Sequence, residues 1–185
     1  TRHPVLEKLA LGGVLLLLAA DMLQWPLGIV GAIALGVAAV HAARLYLWQS
    51  WLTFGTPIVW VLHVAYAWIV VHLVLRGLAA FGLPGELLAI HALTIGAIGG
   101  MTIGMMTRTA RGHTGRPLVA DRFEVTCYVL VALAAAIRVF GGMLLPDAYV
   151  ATVIVSGLCW SAAFALYAVR YWPVLVRPRL DGKPG

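Results

Sequence analysis

Charged side chains are scarce in this chain: 11% of its 185 residues are Asp, Glu, Lys or Arg, against 62% hydrophobic. A water-soluble domain of that size needs far more charge on its surface. The composition therefore argues against a soluble enzyme or binding module and points to an integral membrane protein. Cysteine is scarcer still. Cys127 and Cys159 fall in different apolar segments, so no disulfide is expected and both read as small buried hydrophobes. The lack of a Cys-x-x-Cys-His motif excludes covalently attached haem. Carboxylates are missing from the middle of every apolar segment, which argues against a proton relay or a cation path through the bilayer. No internal repeat or linker divides the chain, so one transmembrane helical domain over residues 1–185 is expected.

What the chain has in quantity is long apolar runs. Six of them, near 6–23, 25–45, 57–75, 86–107, 123–144 and 148–171, are long enough to cross hydrocarbon, which takes about 20 helical residues for roughly 30 Å. Pro26 and Pro57 sit at helix starts, where a missing N–H costs little, while Pro84, Pro117 and Pro146 fall in connecting turns. The expectation is an all-α, polytopic membrane protein of six transmembrane helices in antiparallel up-down order.

The few cations divide unevenly. With the N-terminus inside, one face receives Arg2, Lys8, Arg44, Arg108, Arg111, Arg116, Arg122, Arg170, Arg177, Arg179 and Lys183, and the other only Arg76 and Arg138. That split follows the positive-inside rule, so both termini are expected in the cytoplasm. The net charge of +6 is then a matter of topology, and no nucleic-acid partner is needed to explain it.

Histidines are the polar residues these helices can least easily bury without a purpose. Counting about 1.5 Å of rise per residue from each helix end sorts them by depth. His72 and His91 share a level near the outer face, with Arg138 at a similar height. His41 and His63 form an inner set that His113, in the following cytoplasmic loop, can close over. His63 and His72 stand nine residues apart, about 13 Å of rise and half a turn, too far to share one small metal. Neutral imidazole is the usual nitrogen ligand of haem iron, copper and zinc; a hydrogen bond to a backbone carbonyl is the plainer alternative for each ring.

Gly96, Gly100 and Gly104 form a small-residue stripe on the fourth helix, suited to close helix packing or to a flat porphyrin. Met101, Met105 and Met106 on that helix read as gap-fillers. The loop 108–122 concentrates arginines, Arg108 among them, whose guanidinium groups suit propionates, phosphates or lipid headgroups. Topology does not call for Arg138, which is either a snorkelling side chain or a propionate partner. Trp25, Trp48, Trp51 and Trp172 read as an interfacial belt.

Several of these stretches together resemble the NnrS family, bacterial inner-membrane proteins linked to nitric oxide and nitrosative stress. They are Val61-Leu-His-Val-Ala-Tyr-Ala-Trp68, His91-Ala-Leu-Thr-Ile-Gly-Ala-Ile-Gly-Gly-Met-Thr102, Met106-Thr-Arg108, Gly112-His-Thr-Gly-Arg-Pro-Leu118 and the tail from Arg170 to Gly185. The resemblance implies a multi-pass protein of the cell inner membrane that holds b-type haem, with copper as a second metal and nitric oxide as a ligand. Carried over by position, His63, His91 and His113 lie inside matching motifs. His41 precedes an arginine in a similar way, and His72 falls in no motif of the family. The chain is similar to the C-terminal half of longer members, so the partners it implies are haem, the lipid bilayer, and either a second copy of the chain or a missing N-terminal half.

The expected site set is therefore His63, His91, His41, His72, Arg138 and Arg108 around haem, with His63, His91, His41 and His113 as metal ligands. Whether haem-dependent nitric oxide or electron-transfer chemistry follows is left open by the residues. The rival readings are a haem or copper carrier and a noncatalytic scaffold subunit of a larger complex.

Overall fold

The computed structural model describes residues 3–182; Arg2 and Lys183, both assigned above to the inner face, lie outside the described residues. Among the described residues the chain is helical and has no strand. Its six rods are α1 (Pro4–Met22), α2 (Leu27–Leu47), α3 (Pro57–Ala80), α4 (Glu86–His113), α5 (Arg122–Leu144) and α6 (Tyr149–Leu175). Single 3₁₀ turns, Ser50–Thr53 and Pro146–Ala148, precede α3 and α6. The ion pairs fit antiparallel order. Glu7 at the start of α1 meets Arg44 at the end of α2, and Asp21 at the end of α1 meets Arg76 near the end of α3. The end that holds Glu7 and Arg44 is called the terminal end below, and the opposite one the far end.

Five of the six helices, all but α1, are long and apolar enough to cross a membrane. Helix α1 differs because Glu7, Lys8 and Asp21 fall within its 19 residues. Both of its carboxylates are paired with arginines of neighbouring helices, which lowers the penalty of holding α1 against the bundle. Large apolar side chains such as Leu11, Leu18, Val150 and Val169 are exposed along the rods, as a surface facing acyl chains requires.

Four helices run beyond their expected ends, α2 to Leu47 and α6 to Leu175 by a few residues and α3 and α4 by the most. Helix α3 continues past Leu75 to Ala80, stopping where Gly82 takes φ +83° just ahead of Pro84. Helix α4 continues past Thr107 to His113 and stops before Gly115 at φ +70°. Hydropathy marks where a helix leaves oil; capping and chain reversal decide where it ends. Arg108, Arg111 and His113 therefore stand on a helix rather than in the loop expected for them.

Helix α3 is the hub. Val61 joins a core with Ile103, Tyr128 and Tyr167; Leu73 joins Leu17, Ala34 and Ala38; Trp68 and Leu75 join Ala92, Ala135 and Val139. Two helices contain π-helical stretches, Ala92–Gly99 in α4 and Ile137–Gly141 in α5. Such turns widen the backbone by one residue and cluster at functional sites. The glycine stripe is filled by α3: a Cβ at Gly96 would lie 2.3 Å from the Trp68 ring, and one at Gly100 2.8 Å from Ala65. Close helix packing thus occupies the face that the sequence left open to a porphyrin.

Candidate functional site

The terminal end gathers one dense polar cluster from α1, α2 and α3. Arg44 donates from Nη2 to Glu7 at 2.6 Å, from Nε to the other Glu7 oxygen at 3.3 Å, and from Nη1 to the Tyr66 hydroxyl at 2.6 Å. Its guanidinium also lies 4.9 Å over the Trp48 ring, within cation–π range. His41 Nδ1 meets the Tyr66 hydroxyl at 2.5 Å, and His63 Nδ1 meets Thr53 Oγ1 at 3.1 Å. Trp48 packs against both Tyr66 and His63. The inner pair expected from depth, His41 and His63, thus shares one aromatic cluster. His113 does not close over it. That side chain is exposed in a groove with Met105, Met106, Tyr167 and Leu175, between α4 and α6.

At the far end His72 and His91 are level with each other, as expected. His72 Nδ1 bonds the Ala89 carbonyl at 2.8 Å across to α4, two residues from His91, whose own Nδ1 bonds the Leu87 carbonyl at 2.7 Å. His72 lines a cavity of about 670 Å³ together with Arg76, Asp21, Trp25, Val30 and Ile90. His91 is half-buried and does not line that cavity.

Hydrogen-bond logic sorts the four rings further. A carbonyl oxygen only accepts, so Nδ1 carries the proton in His72 and His91, and Nε2 of the neutral ring is a bare lone pair. Thr53 spends its single proton on the Ser50 carbonyl at 2.7 Å. It therefore accepts from His63, whose Nε2 is likewise bare. His41 differs. Tyr66 accepts from Arg44 and has its own proton to give to His41 Nδ1, which leaves Nε2 as the protonated nitrogen. That Nε2 is buried outside hydrogen-bond geometry, with the Ala10 carbonyl of α1 as its polar neighbour. In this arrangement His41 carries its proton on the buried nitrogen, while His63, His72 and His91 each keep a nitrogen outside these bonds.

No group of three His, Cys, Asp or Glu side chains converges among the described residues. A mononuclear copper or zinc centre built from three such ligands is therefore not formed by them. A porphyrin supplies four nitrogens of its own and asks the protein for only one or two axial ligands, which this donor set can meet. Arg108 is half-buried on α4. Arg138 stands in the π-helical stretch of α5, with Nη1 buried and unpartnered. Cys127 and Cys159 are free thiols, in line with the sequence.

One constellation was missed by sequence reasoning. Asp121 caps α5, accepting from the Phe123 N–H at 2.8 Å, while Glu124 accepts from the Asp121 N–H at 2.8 Å. The Asp-x-x-Glu spacing ahead of an apolar run is the signature of such a capping box. Glu124, 2% exposed, also takes Arg111 at 2.6 Å and the Tyr171 hydroxyl at 2.8 Å. Contact with Glu124, the Phe123 N–H and Arg170 holds the Asp121 carboxyl well below its usual range, at about 2.

Comparison with protein families matches residues 1–179 to the family model described as NnrS protein. No curated protein and no solved structure matches the chain.

Proposed function

The chain belongs to the NnrS family, a membrane family linked to the nitric oxide response, and on that premise we propose that it holds b-type haem at the far-end cavity, where His72 would bind its iron. The observation that carries this reading is the bare Nε2 of His72 beside a cavity of about 670 Å³, inside the usual range of roughly 300–1,000 Å³ for small-molecule sites. The Ala89 carbonyl fixes the tautomer and orientation of the ring and raises its basicity, as partners behind metal-bound histidines do. Arg76, paired with Asp21 at the same cavity, supplies a guanidinium for a propionate. Trp25, Leu27, Val30 and Ile90 give the apolar wall. Haem iron, when bound, supplies the affinity for a diatomic gas such as nitric oxide.

His63 and His91, each with a bare Nε2, are the next ligands in this reading; a second haem or a second copy of the chain would engage them. Copper belongs to the same proposal only with ligands from beyond the described residues. We further propose the inner membrane as location and the cytoplasm as the side of the terminal end. Nine of the described Lys and Arg side chains gather there, against Arg76 and Arg138 toward the far end.

The test is a haem titration of the detergent-purified chain, followed optically before and after nitric oxide. A saturable Soret band that shifts with the gas is the expected result. Protein that stays colourless with excess haem overturns the reading.

A further inference from the structure

The stretch between α4 and α5 and the last turns of α6 surround a different cavity, of about 600 Å³, lined by Arg111, Arg116, Arg170 and Arg177. Two carboxylates share it, and both are engaged. Glu124 takes Arg111 at 2.6 Å, and Asp121 takes Arg170 at 3.0 Å. Asp181, which lies against Gly115, holds Arg179 at 2.6 Å. Four guanidinium groups against two carboxylates leave the cavity with a surplus of positive charge. More telling, Arg111 Nε and Arg116 Nη1 are buried and make no hydrogen bond. Leaving a buried, charge-bearing donor unmatched is costly, so such groups point to an acceptor that the chain itself does not provide.

We propose that this cavity binds a phosphate group, with the guanidinium groups of Arg116 and Arg177, which no carboxylate of the described residues holds, donating to its oxygens. The guanidinium fork suits a tetrahedral oxyanion, and two such forks fix its orientation. The site is independent of haem. Its walls include Pro117, Val119, Pro173 and Val174, at the end of the bundle where the helices leave the apolar layer. An anionic phospholipid headgroup and free inorganic phosphate present the same chemistry there.

The experiment uses the full chain, delipidated in detergent. Its melting temperature and binding isotherm are measured with phosphatidylglycerol against phosphatidylcholine, and with inorganic phosphate against chloride at equal ionic strength. Saturable binding of phosphatidylglycerol alone identifies the lipid headgroup, and saturable binding of inorganic phosphate identifies the free anion. In either case Arg116→Gln should weaken binding by ~10-fold, Arg116→Lys by less, and Arg122→Gln, which lies outside the cavity, should leave it unchanged. Arg116 makes no side-chain bond that folding requires, and Arg177→Gln, at an exposed position, is a second variant expected to weaken binding. No binding of either probe, or equal weakening by Arg122→Gln and Arg116→Gln, overturns the proposal.

Discussion

The terminal-end cluster and the far-end cavity both combine a histidine, an arginine and a carboxylate from α1, yet they differ in what is left over. Around Arg44 the polar groups bond chiefly to one another: Glu7, Tyr66 and His41 form a continuous chain of bonds packed under Trp48, and what is left over is a buried N–H at His41 Nε2. Around His72 the ring is anchored on one side only, and its other nitrogen is a lone pair beside open volume. The residue types are nearly the same. What separates the two regions is the atom left over, a buried N–H beside the Ala10 carbonyl at His41 and a lone pair on a cavity-lining ring at His72.

The strongest way to sharpen that contrast is to break the closed cluster. Arg44→Ala leaves the Glu7 carboxylate without its cation and the Tyr66 hydroxyl without a donor. We expect a loss of roughly 3 kcal/mol in stability, near the lower end for broken buried pairs because Glu7 is partly exposed. Thermal unfolding in detergent measures it. Haem binding at the far end should survive at temperatures where the fold survives; loss of haem with no loss of stability would contradict the assignment of the cluster as structural.

Between the two regions lies the contact of α3 with α4. Gly96→Ala drives a Cβ into the root of the Trp68 side chain, 2.8 Å from its own Cβ, where no rotamer change gives relief. A destabilisation of roughly 2 kcal/mol is expected from overpacking, read from the same melts. A neutral result would mean that the helices are not in close contact along this stripe.

The smallest effect concerns acid. The Asp121 carboxyl titrates at about 2 in the fold, below the ordinary 3.8. Its contribution to stability is therefore complete above about pH 4 and is lost as pH falls toward 2. The side chain is about half exposed, so the loss is screened and modest. Asp121→Asn should flatten this part of the acid-unfolding curve, and an unchanged curve would remove the carboxylate from the account.

Much of this architecture was readable from residues alone, for a physical reason. Apolar length and the placement of Pro26 and Pro57 record the crossing of hydrocarbon directly, so the six helices and their order emerged. Height was legible too, since helical rise is constant: His41 and His63 do meet in one cluster, and His72 and His91 are level. Azimuth was not. His91 is not among the residues lining the cavity that His72 lines, and His113 lies in a groove with α6 residues, because helix rotation is set by neighbours such as Trp68 against Gly96. The π-helical stretches change hydrogen-bond register without changing hydropathy, so they left no trace in the pattern. The pairing of Glu7 with Arg44 joins positions 37 residues apart and has no local signature. The Asp121–Glu124 capping box does have one.

The account rests on the difference between two imidazoles, and one paired measurement tests it. His72→Ala and His41→Ala are purified side by side, and haem content and optical spectrum are compared with the unaltered chain. The account predicts that His72→Ala loses haem or changes its axial-ligand spectrum, whereas His41→Ala keeps the spectrum and lowers only the melting temperature. The reverse pattern, with haem lost in His41→Ala and retained unaltered in His72→Ala, would contradict it.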